Sequence, residues 1–306
     1  MRIRKLGWSL MAYAAGTTVV LTASAASAAV NRPHHHGGDH GTKAPVVRTA
    51  PPHTATLPNG YTVVTNSFPS YARTQNGGAA SCPGTEQPVS GGAFVASGDL
   101  SVNINSSFPS GDAWQVDVSN ASSLPSTVTV YAVCMTHSAK YRVVTSAPTT
   151  APVEFVTSVA ANCPRGTAVM GGGAYSNSSS VNVYINSTVP NALPNGRGAW
   201  RVAMANADLY SSDFTVYAVC EPKPAGYSIQ IGGEVSNGPY SENEAVVTCP
   251  GASVPVGGGG FVSFQDHDAW IGMNTSYPSG SSWDIYENNY ENLTRSIAAS
   301  AVCAGT

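Results

Sequence analysis

Charged side chains are scarce in this sequence: Asp, Glu, Lys and Arg together make up 10% of its 306 residues. Few positions can therefore serve as general acids, general bases or phosphate clamps. The formal net charge is -3, so there is no basic surplus to draw the chain onto nucleic acid. No Cys-x-x-Cys pair occurs, which argues against a zinc ribbon or a thioredoxin-like site. Beyond the first residues no apolar run is long enough to span a membrane, and nothing there carries the 3.6-residue period of a helix.

What is present begins with an export signal. Arg2, Arg4 and Lys5 precede an apolar run from Leu6 to about Leu21, and "ASAASAA" then offers small residues for cleavage after Ala28. The arginines are split by Ile3, which suits the general secretory route, and removal of Arg2, Arg4 and Lys5 takes the charge from -3 to -6. Residues 1–28 are thus read as a signal peptide. Residues 29–60, rich in His, Pro and Thr with little apolar periodicity, are read as a disordered stalk. Export implies an oxidising compartment, where six cysteines favour disulfides.

The rest of the chain is written three times. Tyr61, Tyr141 and Tyr227 open the copies, and Cys82, Cys163 and Cys249 follow 21, 22 and 22 residues later, each before a proline. A glycine cluster comes next, then "NSSFP", "NSTVP" or "NTSYP", then Trp114, Trp200 or Trp283. Six residues on stands Asn120, Asn206 or Asn289, and fourteen beyond that Cys134, Cys220 or Cys303, closing "YAVC", "YAVC" and "SAVC". The repeats are taken as 61–140, 141–226 and 227–306. Six cysteines allow fifteen pairings. The repeat favours Cys82 with Cys134, Cys163 with Cys220 and Cys249 with Cys303.

Period-two alternation marks antiparallel strands buried on one face. In "SVNINSSF" it sets Val102, Ile104 and Phe108 on one side, with Asn103, Asn105 and Ser107 on the other. The expected fold is all-β: three disulfide-stapled antiparallel β-units, either small sandwiches in tandem or one pseudo-threefold prism. Trp114, Trp200 and Trp283 are read as core.

The pattern C-P-x-G, G-G-G, S-x-P, W, N, Y-A-V-C, clearest in "CPRGTAVMGGGAY" (163–175) with "TVYAVC" (215–220), resembles a repeat of secreted actinobacterial proteins. No activity is attached to that repeat, so the resemblance, covering about residues 61–306, implies a secreted bacterial repeat protein and no chemistry. In its count of three and its cysteine usage, though not its motifs, the chain is also similar to vitelline membrane outer layer protein I, a threefold β-prism.

Three sets of residues stand out from this scaffold. In "HHHGGDH", His34, His35, His36 and His40 carry imidazoles suited to a loose metal site, against the plain reading of a polar stalk. In "DHD", Asp266 and Asp268 flank His267 on an expected loop tip, where carboxylates suit Ca²⁺ or an exposed turn. Trp270 and Tyr184 fall on an otherwise polar strand face, which suits sugar stacking with Asn274 as hydrogen-bonding neighbour, or packing against an adjoining element. The Asn-x-Ser/Thr sequences at Asn105, Asn186 and Asn274 are read as turn or strand-end hydrogen bonding, and Asn120, Asn206 and Asn289 as turn caps.

Charge also divides the repeats: 227–306 holds eight acids and one base, 141–226 four acids and five bases. The recurrent positions are Cys, Gly, Pro, Trp and Asn, residues of fold rather than of catalysis. The expectation is a secreted, non-catalytic extracellular binding or adhesion protein with a glycan or cell-envelope component as partner. A purely structural surface protein is the alternative, and a hydrolase the least favoured class. No cofactor, no nucleic-acid partner and no transmembrane span are expected.

Overall fold

The computed structural model describes Arg48 and residues 60–192, 197–263 and 269–305. The described residues fall in one compact unit, and their regular secondary structure is all strand. The first repeat supplies β1 (Tyr61–Ser70), β2 (Thr74–Ser81), β3 (Gln87–Val95), β4 (Val102–Ser110), β5 (Ala113–Asn120) and β6 (Ser126–Met135). The second supplies β7 (Arg142–Thr145), β8 (Thr149–Ala151), β9 (Phe155–Asn162), β10 (Ala168–Ser176), β11 (Val183–Ala192), β12 (Gly198–Asn206) and β13 (Ser212–Glu221). The third supplies β14 (Ser228–Ile231), β15 (Val235–Asn237), β16 (Ser241–Thr248), β17 (Val254–Ser263), β18 (Ile271–Ser279), β19 (Ser282–Asn289) and β20 (Arg295–Ala304).

Strand order decides between the two arrangements the sequence left open. Sheet I runs β1-β6-β3-β18-β19-β16, joining the first repeat to the third. Sheet II runs β2-β5-β4-β10-β13-β7, with β8 also on β13, joining the first to the second. Sheet III runs β14-β20-β17-β11-β12-β9, with β15 also on β20, joining the third to the second. Every repeat divides its strands between two sheets, and each sheet continues into a neighbouring repeat at one seam, β3 to β18, β4 to β10 or β17 to β11, so no repeat stands as a separate domain. The tandem-sandwich arrangement gives way to the pseudo-threefold prism: one apolar core, drawn from all three repeats, lies inside.

The cysteines pair within repeats, as the spacing indicated: Cys82 with Cys134, Cys163 with Cys220, Cys249 with Cys303. Each bridge ties the end of a strand in one sheet to the last strand of the same repeat in another. Each closes a loop of more than 50 residues, worth about 4 kcal/mol in the chain-entropy account.

The glycine clusters are explained where sheets meet. A β-carbon on Gly91, Gly172 or Gly258 would enter the ring of Trp114, Trp200 or Trp283 in the same repeat. One residue on, a β-carbon on Gly92, Gly173 or Gly259 would enter the carbonyl oxygen of Ser276, Ser107 or Thr188 in the neighbouring repeat. The first glycine of each pair therefore seats a core tryptophan, and the second lets two repeats join. All three indoles are fully buried. Each donates its N–H across its own hairpin, to Ser107 Oγ at 2.9 Å, Thr188 Oγ1 at 2.7 Å and Ser276 Oγ at 2.9 Å.

The same seams absorb the Asn-x-Ser/Thr sequences. Asn105 donates to Val183 O at 2.7 Å, Asn186 to Ile271 O at 3.0 Å and Asn274 to Val102 O at 2.8 Å, each across a repeat boundary. The next hydroxyl, on Ser106, Ser187 or Thr275, donates back to that asparagine and accepts the amide of Ser176, Val262 or Val95. These asparagines are mid-strand bulges, not strand ends: pairing shifts by one residue at each. A bulge reverses the faces beyond it. Ser107 therefore pairs opposite inward-facing Val116, and Phe108 turns outward, against the simple alternation. Asn120, Asn206 and Asn289 do cap turns, donating to Leu124, Tyr210 and Leu293 carbonyls at 2.8–3.0 Å.

One core position breaks the threefold pattern. Glu287 stands where the other repeats place Val118 and Met204, and it is fully buried. Neither carboxyl oxygen has a hydrogen-bond partner among the described residues. Burial holds this carboxyl well above the ordinary value of 4.5. The folded chain thus keeps a proton that the unfolded chain releases, and stability falls as pH rises from about 4.5 toward the folded value. Asp284, raised by burial to about 6 despite hydrogen bonds from Ser279 and Tyr277, acts in the same direction between 3.8 and 6. Replacing Glu287 by Met, the residue of the second repeat, is expected to stabilise by about 1–3 kcal/mol at pH 4.5 by removing an unsatisfied buried group. The gain should widen at pH 7.5, as thermal melts of both proteins at the two pH values would show.

Candidate functional site

The residues singled out from sequence do not form one site. His34, His35, His36 and His40 lie outside the described residues, as do Asp266, His267 and Asp268. Asn274 is fully buried, and its amide donates to both Val102 O and Ser97 O. The reading of Asn274 as a ligand's hydrogen-bonding neighbour is corrected: the bulge turns it into the seam between repeats. Tyr184 is also buried, and its hydroxyl donates to Ala269 O at 2.7 Å. Trp270, beside that acceptor, is half-buried and accepts the Tyr290 amide on its carbonyl at 3.0 Å. The structure thus brings Tyr184 next to the Trp270 turn and leaves Asn274 away from solvent. Their polar face is largely taken up by packing between repeats.

A different region is open. A polar pocket of about 410 Å³ lies where the 177–180 loop meets the ends of β8 and β13. Its lining includes Thr150, Asn177, Ser179, Asp208, Ser212 and Asp213. Local hydrogen bonds fix its wall. Ser176, Ser178 and Ser180 each accept, on their hydroxyls, the amide two residues ahead. Serine turns of this kind hold a loop without regular structure. Asn177 Oδ1 accepts the Asp213 amide at 3.0 Å, and Thr150 donates its hydroxyl to Asp213 Oδ1 at 2.7 Å.

Between the lining residues Asp208 and Ser211 stands Tyr210, 76% exposed. Its backbone is anchored by Asn206, which donates to its carbonyl at 2.9 Å. The ring is therefore presented on a fixed turn. The corresponding positions, four residues after the recurrent Asn, hold Leu124 and Leu293. An aromatic where its counterparts have leucine was the signal in the sequence for this site.

A second pocket, of about 320 Å³, adjoins the first through Asn177, Ser178 and Ser179 and runs along the outer face of sheet II. Gln75, Gln115, Asp117 and Tyr175 line it. Tyr175 is 40% exposed and packs edge-on to Phe108, the ring the bulge turned outward, with centroids 5.2 Å apart. Tyr217 lies beyond Phe108 at 5.3 Å. Burial raises the Asp117 carboxyl, and a hydrogen bond from Gln115 partly offsets this.

The matching face of sheet I is closed. Phe94, Tyr131 and Tyr277 hold the same positions there as Tyr175, Tyr217 and Phe108 on sheet II, but all three are buried. Beside them Arg48 donates to Ser97 O at 2.8 Å and to both carboxylate oxygens of Glu242 at 2.5 Å. Its guanidinium carbon sits 4.2 Å from the centroid of the Tyr286 ring. Burial raises the Glu242 carboxyl, while Arg48 pulls it down.

Among the described residues no helix is long and apolar enough to cross a membrane, and no cluster of His, Cys, Asp and Glu could hold a metal. Compared with known proteins, the sequence matches no family model and no curated protein.

Proposed function

We propose that this chain is a secreted extracellular binding protein, acting without catalysis, whose ligand is a glycan or other polyhydroxylated cell-envelope component. The observation that carries this reading is an exposed aromatic ring, Tyr210, on the same turn that supplies Asp208, Ser211 and Ser212 to a preformed polar pocket. Tyr210 offers a face for a sugar ring, and Asn177, Asp208 and Asp213 offer amide and carboxylate groups for its hydroxyls. The disulfides fit an oxidising compartment, and the serine turns and the Asn206 anchor provide a site held in place before binding.

A glycan array, together with retention on purified cell-envelope polysaccharide, tests the proposal. Tyr210→Ala and Asp213→Asn are each expected to weaken binding at least tenfold, and Trp270→Ala to leave it unchanged. Absence of any retained glycan would leave the purely structural role as the better reading.

A further inference from the structure

The pseudo-threefold relation assigns a second kind of ligand to the groove beside the Tyr210 pocket. Pairing to β5 and β19 places Gln75 at the position of Glu242, and Asp117 at that of Tyr286. Ser178 matches Ser97, because the preceding residues Ser176 and Val95 make the same seam hydrogen bond. These three residues line the 320 Å³ pocket. That pocket is therefore the sheet II counterpart of the place where Arg48 docks on sheet I.

We infer that the sheet II pocket is a binding site for the guanidinium of an arginine presented by an extended peptide. In the occupied cradle Arg48 meets a backbone carbonyl, a carboxylate and an aromatic ring. The sheet II cradle repeats the carbonyl at Ser178 and keeps a carboxylate, now on Asp117 in place of the ring, with the Gln75 amide oxygen in place of Glu242. Gly77 permits this: a β-carbon there would enter the Asp117 carboxylate, whereas the matching residue of sheet I is Glu244. The exposed Tyr175 then borders the site, and a planar, weakly hydrated guanidinium suits both the ring and the carboxylate. Sheet III provides the contrast. Its counterparts of Gln75 and Asp117 are Val156 and Ala203, neither of which attracts a cation. The inference does not rest on the glycan reading, which concerns Tyr210 and Asp213.

The probe is an end-blocked peptide of the chain's own residues 45–52, "PVVRTAPP", titrated into the full chain by calorimetry. Binding is expected, and loss of it when the peptide arginine is replaced by alanine. Asp117→Asn should weaken binding at least tenfold, while Gln75→Glu, which restores the carboxylate of sheet I, should strengthen it several-fold. A folding defect cannot produce both changes. Asp213→Asn should leave the peptide bound. No binding, equal binding of the alanine peptide, or loss with Glu242→Gln instead of Asp117→Asn would each overturn the inference; the last outcome would mean exchange with Arg48 on sheet I.

Discussion

A fragment of residues 141–226 is expected to stay unfolded in isolation, even with Cys163 and Cys220 joined. Its strands pair among themselves in two half-sheets, β10-β13-β7 with β8 and β11-β12-β9, but each half-sheet ends at an open seam. β10, β13, β7 and β8 complete sheet II only against β4, and β9, β12 and β11 complete sheet III only against β17. Excision opens both seams. It strands the Asn186 amide, which donates to Ile271, and the Ser187 hydroxyl, which accepts from Val262. It also uncovers the Met170 backbone, whose carbonyl lies against Gly257 of the third repeat in the intact unit. The disulfide removes about 4 kcal/mol of unfolded-state entropy. Against that stands a fragment of fewer than 90 residues that retains only a third of a shared core, where small domains are already marginal. Amide dispersion by NMR and a thermal melt would decide. A cooperative transition in the isolated fragment would show that each repeat is a domain in its own right.

Gly173→Ala is expected to destabilise the whole protein by about 3 kcal/mol or more. The new methyl group would meet the Ser107 carbonyl, and that oxygen belongs to the backbone of a neighbouring strand, where no side-chain rotation relieves the contact. Overpacking in a close-packed interior usually costs about 1–3 kcal/mol, and a clash between two main chains lies at the upper end. The strands β10 and β4 would have to part along the one line that holds the first and second repeats in sheet II. Gly84→Ala is the control. There φ is +59° but a β-carbon meets nothing, so only the backbone cost of about 1–2 kcal/mol applies. Denaturant melts of both variants should separate them by at least 1 kcal/mol. Equal effects would mean that the seam is softer than its geometry.

The local chemistry of this fold was legible in the sequence, and its long-range partnerships were not. Alternation located the strands, the recurrence of Cys at fixed spacing paired the disulfides, and Trp114, Trp200 and Trp283 were identified as core because they recur on apolar faces. Alternation reports which face a residue takes, and says nothing about which strand lies alongside. The joining of repeats along shared sheets was therefore visible only as one of two options. The bulges at Asn105, Asn186 and Asn274 were hidden for a related reason. A one-residue slip leaves no mark on composition, yet it turned Phe108 outward and Asn274 into a seam. The Tyr210 site is not legible in the sequence, because neither exposure nor the shape of a turn is written in composition or alternation, whereas a tryptophan on a polar strand face is. Tyr210 is conspicuous only once its turn is aligned with those of Leu124 and Leu293. Glu287 was countable among the acids of the third repeat, but its place in the interior required the register of β19.

The seam between β3 and β18 has a consequence for how the molecule comes into being. It ties the earliest-made repeat to the last, so β3 has no neighbour on that side until the final stretch of chain exists. Partial products hold an open edge that invites pairing with strangers, and contacts so distant along the chain form slowly. Maturation is thereby delayed to the moment of completion.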